Sequence, residues 1–122
     1  MDDLPKLSHE RLDVYQKAIQ FLALAARFTA TVPKGNADLL DQLKRAALSV
    51  PLNIAEASGR TGCLDNARHF LIARGSALEC GAVLDACLVL GLVDKSTFRS
   101  GKQLLISIVA MLSRLSVGKA NV

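Results

Sequence analysis

Aromatic side chains are scarce. The 122 residues include no Trp, one Tyr and four Phe, 4% in all. With so few rings there is no platform on which bases could stack. Any contact with nucleic acid would therefore run along the phosphate backbone and read little sequence. Histidine is limited to His9 and His69, and neither lies three or four residues from a Cys or from the other. Cys80 and Cys87 sit two helical turns apart, roughly 10 Å along an axis, too far to share a zinc without other ligands. No metal site and no cofactor are expected. Cys63, Cys80 and Cys87 are odd in number and form no C-x-x-C, so they read as reduced thiols of a cytoplasmic protein. Glycine-rich phosphate loops and G-x-S-x-G are missing, and Ser49 and Ser76 have no base at helical spacing. No basic start leads into an apolar run, so no signal peptide is expected. The uncharged stretches, such as Gln103–Ser113, are too short to cross a bilayer. Strand signals, internal repeats and linkers are also wanting.

What is present is oily and basic. Hydrophobic residues make up 51% of the chain, much of it Ala and Leu, which suits helix-on-helix packing in one domain. The mean hydropathy of +0.31 is high for a small soluble monomer and points to apolar surface covered by a partner subunit. The formal charge is +4 and the isoelectric point about 9.2, compatible with a polyanionic ligand.

The organising stretch is Leu43–Arg60. At about 100° per residue, Leu40, Leu43, Ala47, Val50, Ile54 and Ala57 share one face. Gln42, Ser49, Asn53, Glu56 and Arg60 make a narrow polar stripe beside it. Pro51 falls in the middle. Either it kinks one long helix or a new helix starts there, with Ser49 near the N-cap. The unbroken apolar spacing favours the single kinked helix.

Four helices are expected, at about 9–31, 37–58, 64–90 and 95–116, forming an all-α, antiparallel, up-down four-helix bundle in a single domain. Ser8 is the candidate first cap, with Arg11 in place of the Glu of a capping box. In the first helix Val14, Tyr15, Ala18, Ile19, Leu22, Ala25, Ala26 and Thr29 form a broad core face. Phe21, Leu24 and Phe28 fall outside it and suggest a contact surface between copies. The third helix is apolar nearly all round: Phe70, Ala77, Gly81, Leu84 and Leu88 on one face, Ile72, Val83 and Leu90 almost opposite. A lone bundle would leave one side of it open, the best sequence argument for self-association. In the fourth helix Phe98, Leu105, Ile108, Val109, Leu112 and Leu115 form the core seam. After Ser116 the tail has no pattern and is expected to fray.

Glu56 and Glu79 could meet across the second and third helices, and paired carboxylates can do acid–base work. A buried Glu among Asn, Ser and Arg is more often part of a structural network that sets register. Ser49, Asn53, Glu56, Ser76 and Glu79 are therefore read as a structural polar seam, with no catalytic residue. Lys44, Arg45, Arg60, Arg68 and Arg74 cluster in the second and third helices. Repeated round a symmetric assembly, they would make a strong field for phosphates.

Two segments carry a family resemblance. They are Arg45-Ala46-Ala47-Leu48-Ser49-Val50-Pro51-Leu52-Asn53-Ile54-Ala55-Glu56, followed by Arg60, and Ala73-Arg74-Gly75-Ser76-Ala77-Leu78-Glu79. The chain from about Leu7 to Leu115 resembles the four-helix-bundle family first noted as reading frames within intervening sequences of bacterial 23S ribosomal RNA genes. Tyr15 stands where many members carry Trp, and Ala57 where Gly usually follows the Glu. The resemblance implies a bundle that assembles into a ring, a pentamer in known cases. A more distant resemblance is to the accessory protein of diversity-generating retroelements, a basic pentamer that binds nucleic acid and a reverse transcriptase. Two functions follow as expectations. One is a homo-oligomeric, nucleic-acid-binding accessory protein; the other is a scaffold ring that docks a protein partner such as a reverse transcriptase. No membrane role is expected.

Overall fold

The structure is a computed structural model, which describes residues 4–59 and 62–120. Helix α1 spans Asp13–Thr31, α2 Ala37–Gly59, α3 Cys63–Val89 and α4 Lys95–Ala120. Each helix packs on the one before it, and α1 closes the square against α4. The diagonal pairs make no close backbone approach among the described residues. This is an antiparallel four-helix bundle, and no strand occurs among the described residues.

The helix ends show which local signals win. Ser8 does not cap α1. Ser8–Arg11 is a short 3-10 turn, and Glu10, not Arg11, supplies the carboxylate, which accepts the Leu7 backbone N–H at 2.6 Å. The α-helix proper begins only at Asp13, an acidic residue suited to the first turn. α2 runs through Pro51 without a break, and the proline is buried. α3 ends in a Schellman motif, with the Leu92 N–H donating to the Cys87 carbonyl at 2.8 Å and Gly91 N–H to Leu88 at 3.1 Å. That geometry needs a left-handed residue, and Gly91 has φ +72°. Asp94 caps α4: its carboxylate accepts the Thr97 N–H at 2.6 Å and the Thr97 hydroxyl at 3.2 Å. Those bonds hold its carboxyl below the usual carboxylate range. The frayed tail expected after Ser116 is instead helical to Ala120.

The main correction concerns α1. Its buried residues are Val14, Ala18, Phe21, Ala25 and Phe28, a clean seam with alternating spacings of four and three. Phe21 and Phe28 are core, not contact surface, and Leu24 is half-buried against the same cluster. Ile19 and Ala26 face outward instead. The reason is volume. A Cβ added at Gly101 of α4 would lie 3.4 Å from the Phe21 ring and 3.5 Å from Leu24. The aromatic ring fills the hole that glycine leaves. On α2 the apolar face is as expected, with Leu40, Leu43, Ala47, Val50, Ile54 and Ala57 all buried. On α3 Val83, expected opposite the core face, is buried within it.

Candidate functional site

The polar seam of α2 meets α3 at two levels. The Asn53 side-chain amide donates to the Ser49 carbonyl at 2.9 Å and to the Ser49 hydroxyl at 3.1 Å. A carbonyl only accepts, so this fixes which end of the Asn53 amide is nitrogen. Its oxygen then faces His69 Nδ1 at 3.2 Å, and the hydrogen of that contact sits on the imidazole. About two turns further along α3, roughly 10 Å by helical rise, the Ser76 hydroxyl donates to Ser49 at 2.8 Å. Ser49, Asn53, His69 and Ser76 thus pin α2 to α3 in one register. Sequence reasoning weighed His69 only as a metal ligand. Its heptad spacing from Ser76 was the available signal that it shares the seam.

The two carboxylates do not meet across the helices. Glu56 and Glu79 are both exposed. With Ser49 level with Ser76, the two lie about 15 Å apart along the axes, so the expected meeting of carboxylates does not occur. No seam hydroxyl reaches the imidazole, and the described residues hold no cluster of three or more metal-ligating groups.

The four basic candidates among the described residues do not form one patch. Arg74 is half-buried and its Nε donates to the Ser113 hydroxyl at 2.7 Å, tying α3 to α4. Lys44 lies 3.9 Å from Asp41 on its own helix. Arg45 and Arg68 are exposed on different helices, about 18 Å apart in level given the Ser49–Ser76 contact. Arg60 lies outside the described residues. A second basic group was not singled out: Lys95, Arg99 and Lys102 form one stripe of α4, where Lys102 bridges to Asp85 at 2.9 Å.

The outer face of α3 is the largest anomaly. Leu64, Leu71 and Leu78 recur every seventh residue, interleaved with Gly75, Ala82 and Val89, and all are exposed. Leu64 is 76% and Val89 86% exposed. Gly75 sits mid-helix, yet a Cβ there would meet nothing within 4 Å in the protomer. A mid-helix glycine costs about 1 kcal/mol, and packing inside this chain gives no return for it. Beside this line, an apolar groove of about 480 Å³ runs between α3 and α4, flanked by Leu78, Ala82, Ile106 and Ala110. Cys80 and Cys87 are buried beneath, and burial, aided by the Glu79 charge, pushes the Cys80 thiol up to about 12.

A four-helix bundle with a side-chain seam at its α2–α3 contact is the class this geometry defines. The model of the 23S rRNA-intervening sequence protein family matches residues 10–114, and the chain belongs to that family. The fold is similar to the crystal structure of a protein of unknown function from the S23 ribosomal protein family of Bacteroides thetaiotaomicron VPI-5482. The TM-score is 0.78 at 18% identity, over 84% of this chain and 97% of that one. A search of curated proteins found no match. No helix among the described residues is long and apolar enough to cross a membrane.

Proposed function

We propose that the chain is a non-enzymatic accessory protein that assembles with copies of itself and holds nucleic acid by its phosphate backbone. The observation that carries this reading is the exposed leucine line of α3. Contiguous apolar surface on that scale is what a folded protein covers with a partner. The net charge of +4 supplies the second half. Each added copy multiplies it, and a summed positive field attracts phosphates with little regard to sequence. With Arg74 and Lys44 engaged within the protomer, the support is this overall field rather than one preformed patch. The 23S rRNA in the family's description makes RNA the first ligand to try. The pentameric ring implied by the resemblance is the form we expect.

The test is light scattering of the purified protein with and without nuclease, followed by titration of labelled RNA and DNA at rising salt. We expect a multiple of 13.0 kDa and an affinity that falls steeply with salt. Affinity absent at low salt, or indifferent to salt, overturns the nucleic-acid half. A scaffold that docks a protein such as a reverse transcriptase would need the apolar edge of Phe21, Leu24 and Phe28 to be exposed. Phe21 and Phe28 are core and Leu24 packs against them, so no structural observation favours that reading.

A further inference from the structure

We infer that the copies join head to tail, the outer ridge of α2 on one copy seating in the α3–α4 groove of the next. This rests on the self-association proposed above and names the two surfaces that perform it. The ridge carries Leu48 and Leu52, exposed one turn apart, with Asp38 and Asp41 at its N-terminal end and exposed Arg45 between the acids and the leucines. The groove is the mirror of that pattern. Its middle is apolar, with Leu78 and Ile106 exposed on its walls and Gly81 and Ala82 leaving room between them. Its upper end carries Arg99, unpaired among the described residues, with the Lys102–Asp85 ion pair next to it, beside a second apolar hollow.

The levels along the bundle decide whether these patterns meet. Ser49 is level with Ser76, and Asn53 with His69. On the other side Asp85 is level with Lys102, and Arg74 with Ser113. Referred to α3, Leu48 comes level with residues 75–77, beside Leu78 and Ala110. Leu52 comes level with residues 71–73, beside Leu71. Asp38 comes level with residues 84–87, near Arg99 and next to the Lys102–Asp85 pair. The matches hold to within about half a turn, roughly 3 Å. No axial displacement is needed, so a neighbour related by rotation about an axis parallel to the helices brings acid to base and leucine to leucine together. A two-fold pairing of α3 with itself would leave the ridge uncovered. A head-to-tail contact without axial climb closes into a ring instead of a filament.

Size is sufficient. From Asp38 to Ala55 the ridge is about 26 Å long, and half the girth of a helix over that length covers about 400–500 Å² on each copy. Two such faces give about 800–1,000 Å² per contact, at the lower edge of specific association, and each copy in a ring makes the contact twice. Asp38 and Arg99 have no partner within the protomer among the described residues, so pairing them across copies breaks nothing already formed.

The test uses the full chain with Cys63→Ser, since Cys80 and Cys87 are buried. Leu48→Cys copies are mixed with Leu78→Cys copies and treated with a short thiol-to-thiol linker. We expect cross-linked dimers containing one of each, and none from Leu78→Cys copies alone. Independently, Asp38→Arg or Arg99→Asp should each drop the scattering mass toward 13.0 kDa, and the double swap should restore it. A wild type that is already a monomer at about 10 μM overturns the self-association itself. A wild-type oligomer with no mixed cross-link, and with both single swaps still assembled, overturns this interface while leaving self-association standing. Cross-linking of Leu78→Cys copies with one another also overturns it, in favour of a two-fold contact.

Discussion

Asn53 has three hydrogen-bonding contacts to manage and only one orientation that serves them all. Its nitrogen satisfies Ser49 and its oxygen takes the His69 proton. Asn53→Leu would strand the imidazole N–H and the Ser49 groups in a half-buried place. We expect a loss of about 1–3 kcal/mol, read as a lower urea midpoint at unchanged slope. Cys80 shows the opposite economy, a group kept neutral. Its thiol is pushed from 9.0 to about 12, first by burial and then by Glu79. The unfolded chain loses that proton first, so the stability it contributes is intact below pH 9.0 and drains away as pH climbs toward 12. Cys80→Ala should flatten that part of the pH–stability profile, as followed by urea melts between pH 8.5 and 11. In the native state the Cys80 and Cys87 thiols should resist alkylation that proceeds readily in urea. The seam was legible because Ser49 and Asn53 are four residues apart on one stripe. Arg74 misled because its partner, Ser113, is 39 residues away and no local pattern announces it.

Two glycines set how closely the elements approach and turn. At Gly101 an added Cβ would fall 2.9 Å from a Leu84 methyl that has nowhere to go in the core. Gly101→Val should cost about 1–3 kcal/mol by overpacking, despite the better helix propensity, and circular dichroism melts would register it. Gly91→Ala should cost about 1 kcal/mol through the left-handed backbone of the α3 cap, with the helix content unchanged. Helix number and placement were readable from periodicity, and α2 was readable through its proline because the apolar stripe runs past it. The face of α1 was not. Ala-rich stripes are wide, and only the partner's shape, here the hole at Gly101, decides which of two adjacent arcs turns inward. α3 presented the same ambiguity in another form: an all-round apolar pattern shows that something must cover it, but not which side the chain covers itself.

At the scale of the whole molecule, association and stability become one quantity. If copies cover the α3 face only when folded, mass action stabilises the native state. Raising the protein concentration a hundredfold should then raise Tm by about 5–10 °C, and a Tm independent of concentration would count against assembly. Added salt should weaken nucleic-acid binding yet leave the apolar part of the contact intact, so mass and affinity should separate in a salt series. The even number of helices has its own result. α1 begins and α4 ends on the same side of the square, where Leu12 and Leu115 line a common hollow. Material fused ahead of one and behind the other would emerge side by side. Joining those points with a short tether and opening the chain in the Val32–Asn36 turn should give a permuted protein of the same shape.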